Sequence, residues 1–477
     1  MKSSPSLTLC AALLIAACAI APLNGSTPDS TTAAPASVSA AVAFDLQGFI
    51  DARVAAGDTT IVIPTGRHLV TPRNKQHLLL RGLKNITIEA TGAELVCSET
   101  TRAITIENCE NLTLRGLVID YDPLPFTQAR ITAISEDKTR LELELIPGYA
   151  DFGAPPVKLE TFNPETNELR GRITFHRPTI EKLGDGRAVL TRPRGPASGS
   201  IDSIGDIAVL HHEHAPGGFI PHAIMATDSR GLVFENVTLY ASDTFGFFEN
   251  RCENSRYLNC AVDRRPPELD YAMRGYRRVR SLNADAFHSK NARGGPRYER
   301  CIARYNGDDS IAINGYYHFI TAVEGDSLRV LAKAEMTLRV GDTAQMITRE
   351  GVRLPDRKIT ALTPLGSATE EERALVSTPG WVEPRTLART LKEAWRVTLD
   401  GPVDDIPVAT LIASAESIGS GFEIRDCYLG HNQSRGILLK AGHGRIEGNT
   451  MVGSIMSTIL VAPEYFWLEA GFADDVV

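Results

Sequence analysis

The sequence predicts an all-β fold, a right-handed parallel β-helix (solenoid) with two inserted small β-barrel or sandwich subdomains. Short segments of apolar and β-branched residues recur along the chain with a period near two dozen residues, and Gly, Asn and Asp separate them. Two long segments alternate apolar and polar residues without this period. Short strands that repeat at a fixed period are typical of a solenoid, whose turns stack their strands about 4.8 Å apart.

The N-terminus has the layout of a secretory signal, which we place at residues 1–21. Lys2 precedes an apolar run from Leu7 to Ala21 that is too short to span a bilayer. The segment that ends at Cys18 resembles a bacterial lipobox, so Cys18 is a possible lipid anchor, and ordinary cleavage nearby is the alternative. Residues 22–43, rich in Ser, Thr, Ala and Pro, are expected to form a linker. We therefore expect an exported protein, which is periplasmic, extracellular or lipid-anchored at the bacterial cell envelope.

The solenoid is expected to occupy three separate segments of the chain. Its N-terminal part covers 44–128 and begins with a helix that caps the first turn, its central part covers 222–318, and its C-terminal part covers 419–477. The inserted subdomains are predicted at 129–221 and 319–418. Each insertion leaves the solenoid just after a polar stretch, so we expect the two to form walls of a pocket.

Composition and cysteine positions narrow the class of ligand and the chemistry. Hydrophobic residues make up 43% of the chain, charged residues 23%, and the net charge is −8. These values fit a soluble protein, and they argue against a nucleic-acid partner.

Four cysteines lie in similar contexts, so we expect them to stack as core thiols at one inward position, with a disulfide as the alternative. These are Cys109, Cys260, Cys301 and Cys427.

Three aspartates carry the strongest chemical signal. Asp285 lies in the segment NADAFH, and Asp308 and Asp309 lie in NGDDSI, with 23 residues between Asp285 and Asp308. A single Asp in a solenoid turn commonly caps the backbone, but three at the spacing of one turn are expected to share one surface patch. Crowded carboxylates raise the pKa of at least one member, so a protonated acid lies beside an ionised base. Glycoside hydrolysis uses this pair, and the rival use is the Ca²⁺ site of a polysaccharide lyase.

These motifs resemble glycoside hydrolase family 110, the exo-acting α-galactosidases. The resemblance rests on NADAF and NGDDSIAIN, with IDYDPLPFTQ upstream and SRGILL and STILVAPEYFWLEAG downstream, and it covers most of the chain after Phe44. The polygalacturonases are similar more distantly. The resemblance implies an inverting mechanism without a metal, in which Asp285, Asp308 and Asp309 match the acidic motifs of the family. After the double Asp, this chain has Asn314-Gly315-Tyr316-Tyr317 where the family tends to have Asn-Val-His-Gly.

A second group of residues is predicted to bind the substrate. Its members are polar or aromatic residues in the stretches around the acidic motifs or in equivalent positions of other repeats, and for most of them turn capping or packing is the alternative. The group consists of Asp120, Tyr121, Gln128, Asn250, Arg251, His288, Lys290, Asn314, Arg435, Trp467 and Glu469. His211, His212 and His214 resemble a metal cluster, but we expect them to lie in a surface loop of the first insertion.

The function expected from the sequence is exo-acting hydrolysis of terminal α-linked galactose or a related sugar, by an inverting mechanism with an aspartate acid and base. The partner is then a glycan or oligosaccharide, and no cofactor is expected. A polysaccharide lyase or endo-acting hydrolase on the same scaffold is the first alternative. A non-catalytic solenoid that binds glycans at the cell surface is the second.

Overall fold

A computed structural model describes residues 40–153, 156–171, 178–192, 202–212, 220–272, 274–377, 382 and 391–477. The chain divides into two units, Met1–Ser37 and Val38–Val477, and every described residue belongs to the second. The predicted signal peptide, its Cys18 and nearly all of the predicted linker lie outside the described residues. Among the described residues, no helix is long and apolar enough to cross a membrane.

Three parallel sheets form a β-helix, which confirms the fold class that the sequence predicts. The first sheet consists of Val42–Ala43, Gly66–Val70, Ala93–Cys97, Val118–Tyr121, Thr238–Leu239, Ala261–Val262, Ile302–Arg304, Tyr428–Gly430 and Thr450–Val452. The second sheet consists of Thr60–Val62, Thr87–Glu89, Thr113–Arg115, Val233–Glu235, Arg256–Leu258, Arg297–Glu299, Glu423–Arg425 and Arg445–Glu447. The third sheet consists of Gln76–Arg81, Arg102–Glu107, Ile224–Thr227, Phe247–Asn250, Phe287–Lys290, Ile311–Tyr316, Ile437–Leu439 and Ile459–Val461. The strand Glu469–Ala470 joins the third sheet in antiparallel orientation beside Ile311–Tyr316.

The interior of the β-helix is a column of stacked side chains. Phe234, Tyr257 and Tyr298 stack with ring centroids 5.1 and 4.8 Å apart, and Phe247 stacks on Phe287 at 4.9 Å. Offset aromatic pairs at these distances add to the burial of apolar surface. The strands are only two to six residues long, so this interior packing, together with the parallel ladders, holds each turn on the next.

Buried thiols form two columns, which corrects the prediction of one. Cys260, Cys301 and Cys427 lie in one column, because the residues that follow them pair along the first sheet. Cys109 lies instead in the turn from the third sheet to the second, in register with Cys252. The local sequence around Cys109 resembles that around the other three cysteines, although Cys109 lies in a different turn of the solenoid. All six cysteines of the described residues are buried and free.

Each of the two insertions forms its own antiparallel structure. The first is a six-stranded sheet, the inserted sheet, with the order Pro156–Phe162, Ile207–His212, Thr127–Ile134, Arg140–Leu145, Arg187–Thr191 and Thr179–Gly184. The second is a closed barrel, the inserted barrel, with the order His318–Glu324, Ser327–Ala332, Glu393–Leu399, Arg357–Ser367, Thr343–Ile347 and Leu411–Ser414. The sequence placed these insertions at 129–221 and 319–418.

Helical segments are few among the described residues. The helix Leu46–Ala55 begins at Asp45, whose carboxylate accepts a hydrogen bond from the Gly48 amide at 3.0 Å, and it buries Leu46 and Ile50 in the solenoid core. It covers the end of the solenoid, where the sequence predicted a cap. The helix Glu370–Val376 lies in a connection of the inserted barrel and begins with a capping box between Thr369 and Glu372. Two 3₁₀ turns span Pro267–Leu269 and Ala415–Ser417.

The interior column gives a test of the fold. Phe287 is fully buried, so Phe287→Ala should lower the free energy of unfolding by about 3–5 kcal/mol, through lost contacts and a cavity. The exposed ring of Phe466 provides the matched control, and Phe466→Ala should change stability by less than about 0.5 kcal/mol. Urea denaturation followed by circular dichroism measures both. Equal urea midpoints of unfolding for the two variants would contradict the stacked packing of Phe287 in the column.

Candidate active site

The acidic residues lie in the turn that leads into the third sheet. The amide of Gly246 donates to the carbonyl of Asp285, that of Ala286 to Asp309, and that of Ser310 to Arg435, at 2.9 to 3.0 Å. Phe245, Asp285, Asp309 and Arg435 therefore stack in one column. The sequence aligned Asp285 with Asp308, but the ladder places Asp309 opposite Asp285, and Asp308 is its neighbour along the chain.

The three aspartates form one tight cluster. Oxygen atoms from Asp285, Asp308 and Asp309 all lie within 4.8 Å of one another. Asp285 and Asp309 are 4% and 2% exposed, whereas Asp308 is only partly buried. Asp308 is therefore the member that a ligand reaches most directly. Carboxylate oxygens are also the ligands that a hard cation prefers, so the cluster has the donor set for a cation as well as for acid–base chemistry.

Asp309 is held by Arg435 through both of its oxygens. Nε and Nη2 of Arg435 donate to Oδ1 and Oδ2 at 2.8 and 2.9 Å, and the Arg435 amide donates to Oδ1 at 2.9 Å. A carboxylate that accepts from a guanidinium fork is in its ionised form. The predicted ligand Arg435 therefore contacts a predicted catalytic residue, and it leaves Asp309 as the anionic member of the cluster.

The carboxyl group of Asp308 differs from that of Asp309, because its surroundings favour the protonated form. Burial raises its pKa to about 8, and the neighbouring Asp285 and Asp309 act in the same direction, while Lys158 and Arg435 oppose them. At neutral pH the carboxyl group of Asp308 therefore carries a proton. A carboxyl group with a raised pKa, that of Asp308, therefore lies beside Asp309, which is held by a guanidinium group.

Asp285 is coupled to a buried histidine. Burial raises the pKa of Asp285 well above its usual range, and the charges of Asp309 and Glu469 add to the effect. Its Oδ2 lies 2.6 Å from Nδ1 of His288, and Nε2 of His288 lies 3.1 Å from Nδ2 of Asn314. Burial, together with the charge of Lys290, lowers the pKa of His288 to about 3. These two opposite shifts favour a proton on the carboxyl group of Asp285, which would then donate to Nδ1 of a neutral imidazole with its own proton on Nε2.

Asn314 fits this arrangement if its amide group is turned by half a rotation. Oδ1 of Asn314 is buried and has no hydrogen-bond partner among the described residues. After the half turn, Oδ1 would accept the Nε2 proton of His288, and the oxygen and nitrogen positions of such amides are assigned from the surrounding network. Asp285, His288 and Asn314 then form one hydrogen-bonded chain.

A column of asparagines donates hydrogen bonds to the backbone carbonyls of the acid-bearing turns. Nδ2 of Asn306 donates to the carbonyls of Ala284, Asp308 and Asp309, at 3.2, 2.9 and 2.8 Å. Nδ2 of Asn432 donates to the carbonyls of Asp308 and Arg435, both at 2.7 Å. These bonds fix the backbone where it leaves the regular ladder. The sequence carries a signal for them, because each acidic or basic motif of this turn begins with Asn.

Lys158 of the inserted sheet is a functional candidate that sequence reasoning missed. Its Nζ donates to the carbonyl of Asn283 at 3.1 Å and to that of Gly307, and the side chain is buried. Lys158 alternates with apolar neighbours along its strand, a pattern that favours a solvated face, so nothing local points to the aspartates.

Lys290 and Glu469 belong to a second charged cluster beside the first. Lys290 Nζ lies 3.1 Å from Oε1 of Glu469, and Lys440 Nζ lies 2.6 Å from Oε2 of Glu469 and 3.0 Å from Glu464. Although burial favours its neutral form, Lys290 and Lys440 hold the pKa of Glu469 well below its usual range. The charge of Glu469 also acts on Asp285 and His288, so the cluster is electrostatically part of the site.

An aromatic surface, which we call the aromatic shelf and define as His222, Phe245 and Phe248, adjoins Asp285. Phe245 lies one rung before Asp285 in the column and stacks on His288 at 4.8 Å and on His222 at 4.7 Å. Phe245 and Phe248 are partly exposed. Trp467, which the sequence proposed as the aromatic platform, is 44% exposed and packs edge-on against Phe466. The shelf was missed because its residues precede the acidic motifs by a whole turn.

The two sequence neighbours of Trp467 line a separate apolar cavity of about 390 Å³. Phe319, Leu411, Tyr465, Phe466 and Leu468 line this cavity, and none of the three aspartates does.

The first three predicted ligands are buried away from solvent. Asp120 accepts hydrogen bonds from Arg278 at 2.8 and 2.9 Å and from Arg265 at 2.9 Å. These arginines lower the pKa of Asp120, although burial opposes them.

Tyr121 donates to the carbonyl of Thr101 at 2.9 Å. Gln128 donates to the Arg277 carbonyl at 3.1 Å and accepts from the Val279 amide at 2.9 Å. All three are 0% exposed, so no polar atom of theirs faces a sugar. Asp120 and Gln128 hold the segment that leads into the first acidic turn.

Asn250 and Arg251 lie at the far end of their strand. Asn250 Nδ2 donates to Glu335 at 3.1 Å, and its Oδ1 accepts from Asn291 at 2.8 Å. Arg251 pairs with Asp228 at 2.6 Å and with Glu335. Arg251 therefore pairs with carboxylates that do not belong to the acidic cluster.

The predicted histidine cluster is only partly described. His211 lies in a strand, not in a loop, and its Nε2 is 3.3 Å from Oδ1 of Asp243. The His212 side chain and the whole of His214 lie outside the described residues.

Fold and site together define a class, a parallel β-helix with a cluster of three aspartates in the turns that lead into one of its sheets. Within that class, the resemblance to family 110 is confirmed by curated relatives. The chain is 23% identical over 422 residues to alpha-1,3-galactosidase B of Bacteroides thetaiotaomicron, which covers 84% of the chain and 63% of the relative. It is 22% identical over 418 residues to alpha-1,3-galactosidase A of the same organism, which covers 84% of the chain and 67% of the relative. The chain thus spans less than two thirds of the first relative.

Other comparisons are weaker. No protein-family model matches the chain. Among solved structures, the A-module of the mannuronan C-5 epimerase AlgE4 of Azotobacter vinelandii has a TM-score of 0.29 at 10% identity, over 90% of each chain. The Gp54 tailspike of the Acinetobacter baumannii bacteriophage AP22 has a TM-score of 0.16 at 9% identity, over 57% of this chain and 48% of the other.

The charge state of His288 can be tested without any substrate. Because its pKa is lowered to about 3, His288 should stay neutral, with its proton on Nε2, from pH 5 to pH 8. Nitrogen-15 NMR of histidine-labelled protein, assigned with His288→Gln, reports the tautomer directly. Free histidine in the same buffer serves as the control and titrates with a pKa of about 6.5. A His288 signal that moved with a midpoint near this value would contradict the neutral pair with Asp285.

Proposed function

We propose that the chain is an exo-acting glycoside hydrolase that removes terminal α-linked galactose, or a related sugar, with inversion of configuration. The observation that carries the proposal is the cluster in which protonated Asp308 lies beside ionised Asp309, with oxygens within 4.8 Å. The names of both curated relatives, alpha-1,3-galactosidase B and A, support the choice of sugar. A glycan is then the natural partner of the site.

Asp308 is the general acid in this proposal. Its proton passes to the glycosidic oxygen as the bond to the sugar breaks, and the exposed position of Asp308 in the cluster allows this contact. Asp309, which Arg435 keeps ionised, takes the proton of the attacking water. Asp285 transfers no proton in this proposal and stays paired with His288.

The spacing favours a second mechanism for the same activity. Carboxyl groups of inverting enzymes usually lie about 6.5–9.5 Å apart, and those of retaining enzymes about 5–5.5 Å. One oxygen of each carboxyl group here lies within 4.8 Å of the others, which is closer to the retaining range, so a retaining mechanism with Asp309 as the nucleophile is the second candidate. The anomer first released from a defined α-galactoside, followed by NMR, distinguishes the two: a β-anomer supports inversion, and an α-anomer supports retention.

The aromatic shelf supplies a place for the sugar ring. Galactose carries an apolar patch on one face, and such patches pack on aromatic rings. Phe245 offers a partly exposed ring one rung from Asp285. We expect Phe245→Ala to raise KM more than it lowers kcat, since the ring contacts ground state and transition state alike.

The roles of the two aspartates can be separated by the choice of substrate. Nitrophenolate leaves without help from an acid, so Asp308→Asn should keep much of the activity on nitrophenyl α-galactoside while losing about 10²–10⁴-fold on an α-1,3-linked disaccharide. Asp309→Asn should lose activity on both substrates. Asp228→Asn, a change in another solenoid turn, serves as the matched control and should leave both rates unchanged.

Three outcomes of the same assays would overturn the proposal. Full activity in both aspartate variants would remove the assigned roles. An unsaturated product whose formation stops with a chelator would assign a cation-dependent lyase. Glycan binding without turnover would assign a binding solenoid.

A further inference from the structure

Lys158 connects the inserted sheet to both acid-bearing turns. Its Nζ donates to the carbonyl of Asn283, two residues before Asp285, and to the carbonyl of Gly307, directly before Asp308. These two carbonyls belong to successive turns of the solenoid, since the Gly307 amide donates to Leu282. One ammonium group thus ties together the turns whose spacing sets the distance between the carboxylates.

A ring of buried contacts holds Lys158 in this place. Glu160, two residues along the same strand, lies 3.3 Å from Lys158 Nζ and pairs with Arg280. Arg280 in turn donates to Oδ1 of Asn283 at 2.9 Å, and Asn283 accepts from Lys158. Nδ2 of Asn283 donates to the Pro125 carbonyl at 3.0 Å. The four side chains are at most 4% exposed, so their geometry is fixed by packing as well as by charge.

The glycine of the NGDD motif makes the close approach possible. A Cβ atom at Gly307 would lie 2.9 Å from Lys158 Nζ and 2.5 Å from the Asn283 carbonyl oxygen. Real Cβ atoms essentially never make contacts this short, so the motif needs glycine because Lys158 and the neighbouring turn pack against it.

We propose that Lys158 is a positioning residue of the reaction, which clamps the two acid-bearing turns together and places a cation behind the aspartates. The proposal rests on the proposed function for its kinetic consequence, but the clamp itself is defined by geometry. In this proposal the inserted sheet does more than border the site, because its residue Lys158 holds the backbone of both acid-bearing turns.

The charges around Lys158 predict the direction of its effect. Burial lowers the pKa of Lys158 to about 7, the charge of Arg280 adds to this, and the three aspartates oppose it. In its charged form Lys158 lowers the pKa of Asp308. Removal of the cation should therefore raise the pKa of Asp308 and keep its proton bound to higher pH. The charged and titratable groups that act on these two residues are Asp285, Asp309, Glu160, Arg280 and Arg435.

Carbodiimide labelling tests the clamp without any glycoside. The reagent reacts with protonated carboxyl groups, so peptide mass spectrometry of labelled Asp308 across pH gives its titration midpoint. In Lys158→Met the midpoint should rise by about one pH unit, and Lys158→Arg should return it toward the wild-type value. Lys182→Met, which removes an exposed lysine of the same inserted sheet, is the matched control and should not move it. A midpoint within about 0.2 pH unit of wild type in folded Lys158→Met would overturn the proposal.

Kinetics supply the second readout. Lys158→Met should lower kcat by about 10–100-fold with little change in KM, because misplaced acids fail in the transition state, not in binding. If Lys158→Met does not fold, Lys158→Gln takes its place in both assays, because glutamine lacks the charge but keeps a donor for the carbonyls. The midpoint of Asp308 should again rise, and kcat should again fall. A wild-type protein that hydrolyses no glycoside would refute the proposed function, and the labelling result would still decide the clamp.

Discussion

Three carboxyl groups with oxygens within 4.8 Å of one another repel one another when all are ionised, and much of the surrounding structure acts on that repulsion. Burial and crowding raise the pKa of Asp308 and of Asp285, whereas Asp309 is paired with Arg435. Cations lie on two sides of the cluster: Lys158 behind the acid-bearing turns, and the Lys290 and Lys440 pair around Glu469. An arrangement that costs stability in this way is typical of a catalytic centre.

The β-helix is the scaffold that makes such crowding possible. Parallel in-register strands place equivalent residues of successive turns one strand spacing apart, about 4.8 Å, and the ladder makes Asp285 and Asp309 such a pair. The asparagine column and Lys158 then donate hydrogen bonds to backbone carbonyls of these turns, among them those of Gly307, Asp308 and Asp309. The solenoid therefore supplies the spacing, the asparagines and the inserted sheet supply the support, and the aromatic shelf supplies an apolar surface beside the acids.

Much of this could be predicted from local sequence, because a solenoid repeats its local signals. The strand period predicted the β-helix, and the two acidic motifs and the Arg435 motif predicted residues that do lie together. The one-residue shift from Asp308 to Asp309 could not be predicted, because the length of each turn is set by packing that a period alone does not contain. Cys109 was assigned to the wrong column for a related reason, since two different corners of the solenoid share similar local sequences. Lys158, Arg278 and Arg280 were missed because their partners lie more than a hundred residues away along the chain.

The pH dependence of kcat/KM on an α-1,3-linked galactoside tests the central claim most directly. If Asp308 is the acid, with its pKa raised to about 8 by burial and by its acidic neighbours, the rate should persist through neutral pH and fall only as Asp308 loses its proton near pH 8. A basic limb that falls near pH 5, close to the pKa of an ordinary carboxyl group, would show that the cluster does not hold the proton where the account places it.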